Sequence, residues 1–201
     1  MSGIIAQNSG RHTGLVKSAS GGGGVWNLIE TLTASASGTL DFTSGIDSTY
    51  DEYVFKFHNV HVSGSSGVGF TFQGSTDSGS SYGVTLTSTH FYLYHGESGG
   101  DNGMEYAATL DEAQSTNFLR ICTVHGANND SCASGYLHLF APSDTTFQKH
   151  FITRAAEENN GYIQDVYAAG YFNTTSAIDA IQFKFASGNI DSGSISLFGL
   201  T

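Results

Sequence analysis

The chain is poor in charge, in cysteine and in long apolar runs, and each shortage closes off a class of function. Charged residues make up 12% of its 201 positions, against about a quarter in ordinary globular domains, so hydroxyls and amides must solvate much of its surface. No stretch approaches the roughly 20 consecutive apolar residues of a membrane span, and no membrane partner is expected. The opening residues, MSGIIAQNSGRHTGLVKS, lack the charged-then-apolar order of a signal peptide, which points to synthesis and assembly in a cytoplasm. Lys and Arg number 7 against 18 Asp and Glu, a formal net charge of −11. That balance argues against a nucleic-acid partner, because meeting phosphate would cost repulsion instead of releasing counterions. The two cysteines, Cys122 and Cys132, flank TVHGANNDS, which reads as a hairpin loop. Cytoplasmic synthesis favours free thiols there, with a disulfide across the loop as the lesser alternative.

What fills the composition is strand-and-turn vocabulary: 26 Gly against 1 Pro, 14 Phe and 10 Tyr, set between clusters rich in Ser and Gly. In YDEYVFKFHNVHV the residues Tyr53, Phe55 and Phe57 share one strand face, and in VGFTFQ so do Val68, Phe70 and Phe72. IQFKF repeats the pattern with Ile181, Phe183 and Phe185. HFYLYH, FLRICTV and YLHLF carry apolar groups on both faces, as inner strands of a two-layer fold would. Helix is expected at most as a turn or two, in LDEAQS and RAAEENN. FTSGIDS (42–48) and FASGNIDS (185–192) echo each other, which we read as shared turn chemistry and not as a repeat. The expected fold is an all-β, jelly-roll-like antiparallel sandwich over residues 25–201. Residues 1–24 form an extended N-terminal arm and Gly-rich hinge in this reading. The arm holds Arg11 and Lys17 and no acid, a charge of +2 that leaves −13 for the remainder.

No catalytic constellation emerges. GSSYG (79–83) satisfies the G-x-S-x-G pattern with Ser81 at its centre, but a turn precedes it and a strand follows, where a nucleophile elbow needs a strand-to-helix turn. His58 and His61 are three apart, which on a strand puts them on opposite faces, and His90 and His95 fail the same parity test. Cys122, His125 and Cys132 lack a fourth zinc ligand. No catalytic, cofactor-binding or metal-binding residue is assigned, and no cofactor is expected. The aromatics could stack on sugar rings, but their alternation favours core.

Four segments carry a family resemblance: SGIIAQNSGRHTGLVKS, IDSTYDEYVFKFHNVH, AGYFNTTSAIDAIQFKF and ASGNIDSGSISLFGL. They resemble small proteins encoded by tailed bacteriophages, marine phages especially, and the likeness runs from the arm to the C-terminus. The resemblance implies a virion component, assembled in the host cytoplasm, with no enzymatic residues to carry over. Within that class we favour an outer capsid decoration protein that binds phage capsid proteins and its own copies, as a trimer before other numbers. Its alternative is a tail-fibre or receptor-binding module whose loops, such as 74–83 and 96–103, meet a host surface glycan or protein. The arm would reach a neighbour through Ile4, Ile5, Leu15, Val16 and Trp26, with Arg11 and Lys17 supplying charge complementarity. The C-terminal strand, with Phe198 and Leu200 facing away from Ile195 and Leu197, is expected to be inner or partnered.

Overall fold

The computed structural model describes residues 25–64, 67–126, 131–158 and 160–200. Of the residues assigned to the arm, Ile4, Ile5, Arg11, Leu15, Val16 and Lys17 therefore lie outside the described part. Twelve strands run through it in the order β1 (Asn27–Thr33), β2 (Leu40–Phe42), β3 (Glu52–Val62), β4 (Val68–Ser75), β5 (Leu86–Gly96) and β6 (Asn102–Tyr106). They continue with β7 (Leu119–Val124), β8 (Ala133–Phe140), β9 (Lys149–Glu158), β10 (Tyr162–Phe172), β11 (Ala180–Phe185) and β12 (Ile190–Leu200). The protein is all-β: an eight-stranded sheet, β1-β12-β3-β8-β9-β10-β5-β6, packs against a four-stranded sheet, β2-β11-β4-β7. Each pairing is antiparallel. The helical content of the described residues is a 3-10 turn at Ala108–Leu110, and none of their helices is long and apolar enough to cross a membrane.

The core is aromatic and forms where the alternation of the sequence places it. Tyr53, Phe55 and Phe57 of β3 are fully buried and face Phe70 and Phe72 of β4 and Phe183 of β11. The Phe183 ring lies 5.4 Å from Phe55, 5.9 Å from Phe70, 6.1 Å from Phe42 and 6.3 Å from Phe72. Burying one such ring is worth roughly 1.5–3 kcal/mol before edge-to-face contacts add to it. The C-terminal strand β12 lies between β1 and β3, as expected of an inner strand. Ile195 and Leu197 enter the core, while Phe198 and Leu200 sit half-buried on the outer face.

The two echoing segments each follow a strand of the small sheet, Phe42 closing β2 and Phe185 closing β11. Each then turns on a left-handed glycine, Gly45 at φ 79° and Gly188 at φ 75°, the conformation that a side chain resists. Beyond the turn the parallel ends. Asp47 accepts the Tyr53 hydroxyl and the Thr49 amide, whereas Asp191 lies 3.5 Å from His61.

Three local expectations are corrected. RAAEE is the end of β9, in which Ala155 and Glu157 point inward and Arg154 and Ala156 outward; pairing on both sides overrides its helix propensity. LDEAQS begins at the last residue of the 3-10 turn, Leu110, and carries no further helix, ending at Ser115 in a bridge to Leu86. The strands on either side of the two cysteines do not pair as a hairpin, because β7 belongs to the small sheet and β8 to the large one.

Insertion decides where the two layers part. The pair β5–β6 is inserted between β4 and β7, and β9–β10 between β8 and β11. Together they add four strands to one side of the large sheet. The small sheet ends at β7, so this wing extends past its cover.

Candidate functional site

Under the wing, the inner face changes from apolar to polar. Glu157 and Thr153 of β9 and His90 of β5 are buried, and two of them reach the unpaired edge of β7. The Thr123 amide donates to the Glu157 carboxylate, and His90 Nε2–H donates to the Arg120 carbonyl at 2.6 Å, since a carbonyl can only accept. Both bonds satisfy edge groups that no strand pairs with. Burial pushes the Glu157 carboxyl up to about 8, so it is largely protonated at neutral pH. Burial also raises the Cys122 thiol, which lies beside Glu157, and lowers His90. A buried thiol held protonated is a poor nucleophile. These groups close an edge.

Farther along the wing, beyond β7, the same inner face opens into a cleft of about 340 Å³. Its floor follows from register. Gln164 of β10, Tyr94 of β5 and Gly103 of β6 form one cross-strand row. Tyr92 pairs with Glu105 on one side of that row, and Tyr162 with Gly96 on the other, where Gly96 also meets Asp101. Two glycines shape the surface by what they lack. A Cβ on Gly103 would stand 2.8 Å from the Tyr94 hydroxyl and 3.0 Å from its ring, and one on Gly96 3.2 Å from the Tyr162 ring. Both side chains therefore reach across the neighbouring strand, and both stay half-buried. Tyr94 lies 6.2 Å from Tyr92 and 6.1 Å from Tyr162, at interplanar angles of 48° and 69°.

The carboxylates are fixed by the same tyrosines. Tyr92 donates its hydroxyl to Glu105 at 2.6 Å, and Tyr162 donates to Asp101 at 2.9 Å. The bond to Glu105 and partial burial push Tyr92 up to about 12; the bond to Asp101 raises Tyr162. His125 and Asn160 stand at the rim, and no Lys or Arg lines the cleft.

The outer face of the large sheet is the second candidate surface. Leu28, Leu93, Met104, Ile152 and Ile163 all point outward and are exposed, Leu28 by 60% and Met104 by 68%. Among them runs a row in which Phe91 stacks on Tyr167 at 4.8 Å and 3°. Arg154 lies over Tyr167 and is bound by both oxygens of Asp165, at 2.9 and 2.7 Å. That bond lowers Asp165. Apolar grooves of about 380 and 470 Å³ cross this face, one at Ile152, Ala169 and Tyr171, the other at Leu93, Met104 and Ile163.

The structure disperses the residues singled out from sequence. Trp26 packs on its own sheet, 5.5 Å from Phe198 and 6.4 Å from His138, with Lys56 Nζ 4.9 Å from its ring. It thus covers part of the outer face of the C-terminal strand. Cys122 and Cys132 are free; one lies in each layer, which corrects the disulfide alternative. Ser81 donates its hydroxyl to Asp77 at 2.6 Å and its amide to the same carboxylate. Bonds from Ser75 and Ser81 lower Asp77 to about 2, so GSSYG is turn chemistry. His90 is buried and His95 exposed, on opposite faces of β5. Among the described residues no group of His, Cys, Asp and Glu is arranged to hold a metal ion. Loop 96–103 supplies Asp101 and Gly103 to the cleft. The sequence does not single out Tyr92, Tyr94 and Tyr162 as a site; the apolar run HFYLYH is the one signal for Tyr92 and Tyr94, and Tyr162 has none. Compared with known proteins, the chain matches no family model, no curated protein and no solved structure.

Proposed function

We propose that the chain is a non-enzymatic structural component of a tailed-phage virion, an outer capsid decoration protein that binds the particle through the uncovered face of its large sheet. The family resemblance supplies the context, and the five exposed apolar residues on that one face carry the reading. An exposed apolar surface of this kind marks an interaction site. Eight strands at about 4.8 Å spacing, the longest running about 35 Å, offer on the order of 1,000 Å². A standard interface needs roughly 800 Å² per partner. Many weak copies on one particle gain by avidity, and a trimer multiplies the face again. Strand order supports the jelly-roll reading: without the two inserted pairs, β1-β12-β3-β8 faces β2-β11-β4-β7, and the chain alternates between them except at β4 and β7, which pair in the small sheet.

The test is the double variant Ile152→Glu, Ile163→Glu, added as full chain to particles that lack the protein. It should fold normally, because both side chains face water, and lose at least about tenfold in occupancy, since a buried unpaired charge costs several kcal/mol. Undiminished binding would refute the docking face. Antibody labelling of intact particles then separates the roles: signal over the head agrees with decoration, and signal at the tail replaces it with the tail-fibre or receptor-binding alternative.

A further inference from the structure

We infer that the tyrosine cleft at the end of the wing binds a neutral saccharide, whatever the position of the chain in the particle. Three observations converge on this ligand. First, Tyr94 and Tyr162 reach over Gly103 and Gly96 and stay half-buried, so each keeps ring surface for stacking against the C–H face of a pyranose. The rings are 6.1 and 6.2 Å apart and inclined at 69° and 48°, so a sugar would stack on one ring while its neighbours flank it. Second, the polar complement is mixed. Asp101 and Glu105 each accept one tyrosine hydroxyl and keep further lone pairs for sugar hydroxyls, while Gln164 brings an amide that can both donate and accept. A cation would use the acceptors alone; a polyol uses both. Third, two carboxylates and no Lys or Arg line the cleft, so uronic and sialic acids would be repelled. The volume of about 340 Å³ falls at the lower end of ligand pockets and suits a short chain. This site does not depend on the outer docking face, which lies on the opposite side of the same sheet, so either can fail without the other.

The experiment titrates the full chain with lactose, maltotriose and chitotriose as neutral probes, a hyaluronan tetrasaccharide as the acidic probe and choline as the cationic one. Saturation-transfer NMR and isothermal calorimetry read the binding. At least one neutral probe should bind. Tyr94→Ala and Asp101→Asn should each weaken it about tenfold, and Tyr94→Phe, which keeps the ring, should stay within about threefold. Asp101 is exposed, so its variant remains informative even if Tyr94→Ala folds poorly. The inference is overturned if no neutral probe binds, if binding ignores both Tyr94→Ala and Asp101→Asn, or if only choline or only the acidic probe binds.

Discussion

The two halves of the large sheet are built from the same kind of strand and do different work. In β1-β12-β3-β8 the inward residues are Phe, Tyr, Val, Ile and Leu, and the small sheet covers them. In β9-β10-β5-β6 the inward positions run from Phe151 and Ala155 through Thr153, Glu157 and His90 to Tyr92, Tyr94 and Tyr162, as cover gives way to an edge and then to solvent. Period-two alternation governs both halves, interrupted by bulges in β1, β3 and β12 of the covered one. What differs is whether a second layer lies opposite, and that decides whether an aromatic residue is core or ligand platform.

The largest effect should come from the covered half. Phe55 is fully buried, with its ring 5.2 Å from Phe42 and 5.4 Å from Phe183. Phe55→Ala should cost about 3–5 kcal/mol, through lost transfer energy and the cavity left behind, read as a fall in denaturant midpoint. A cost below about 1.5 kcal/mol would mean that the core collapses around the gap and is far less rigid than its packing indicates.

Much of this comparison was legible in the sequence, but only on one side. The inward triplets Tyr53-Phe55-Phe57, Val68-Phe70-Phe72 and Ile181-Phe183-Phe185 follow from period-two alternation alone, and an inner C-terminal strand follows from apolar residues on both of its faces with no basic residue or proline guarding an edge. HFYLYH reads as core in the sequence and differs in the structure for a physical reason. Alternation tells which residues share a face, whereas cover depends on how many strands the opposite sheet has, and that is settled by distant pairing. The strands β9 and β10 were hidden because RAAEE has good helix formers and Glu157 looks like a surface residue until register turns it inward. The cleft needed three strands in register before its tyrosines became neighbours.

At the boundary between the halves, Glu157 gives a pH-dependent effect of middle size. Its carboxyl is raised in the folded state, from 4.5 to about 8, so between these values the folded protein binds more protons than the unfolded chain. Its contribution to stability is therefore fully present below about pH 4.5 and is lost as pH rises through 8, at up to about 1.4 kcal/mol per pH unit. Glu157→Gln keeps an acceptor for the Thr123 amide and removes the ionisation. The variant should match the parent near pH 5 and exceed it in melting temperature near pH 8.5. Parallel melting curves at all pH values would mean that Glu157 is not buried at the β7 edge as described.

The smallest effect should lie at the tip of the wing. Tyr94 is an aromatic residue of the same sheet, as Phe55 is, but it is only half-buried and reaches over Gly103. Tyr94→Ala should cost no more than about 1 kcal/mol, in the range of substitutions that make no core cavity, and should leave the denaturant slope unchanged. The two aromatic-to-alanine variants then form one measurement of cover: the ratio of their costs reports how much of each ring the small sheet hides. If Tyr94→Ala costs as much as Phe55→Ala, the tyrosines of the wing hold the fold together and their faces are not free for a ligand. If it costs little and still abolishes saccharide binding, the wing spends its aromatic residues on recognition while the covered half spends its own on stability.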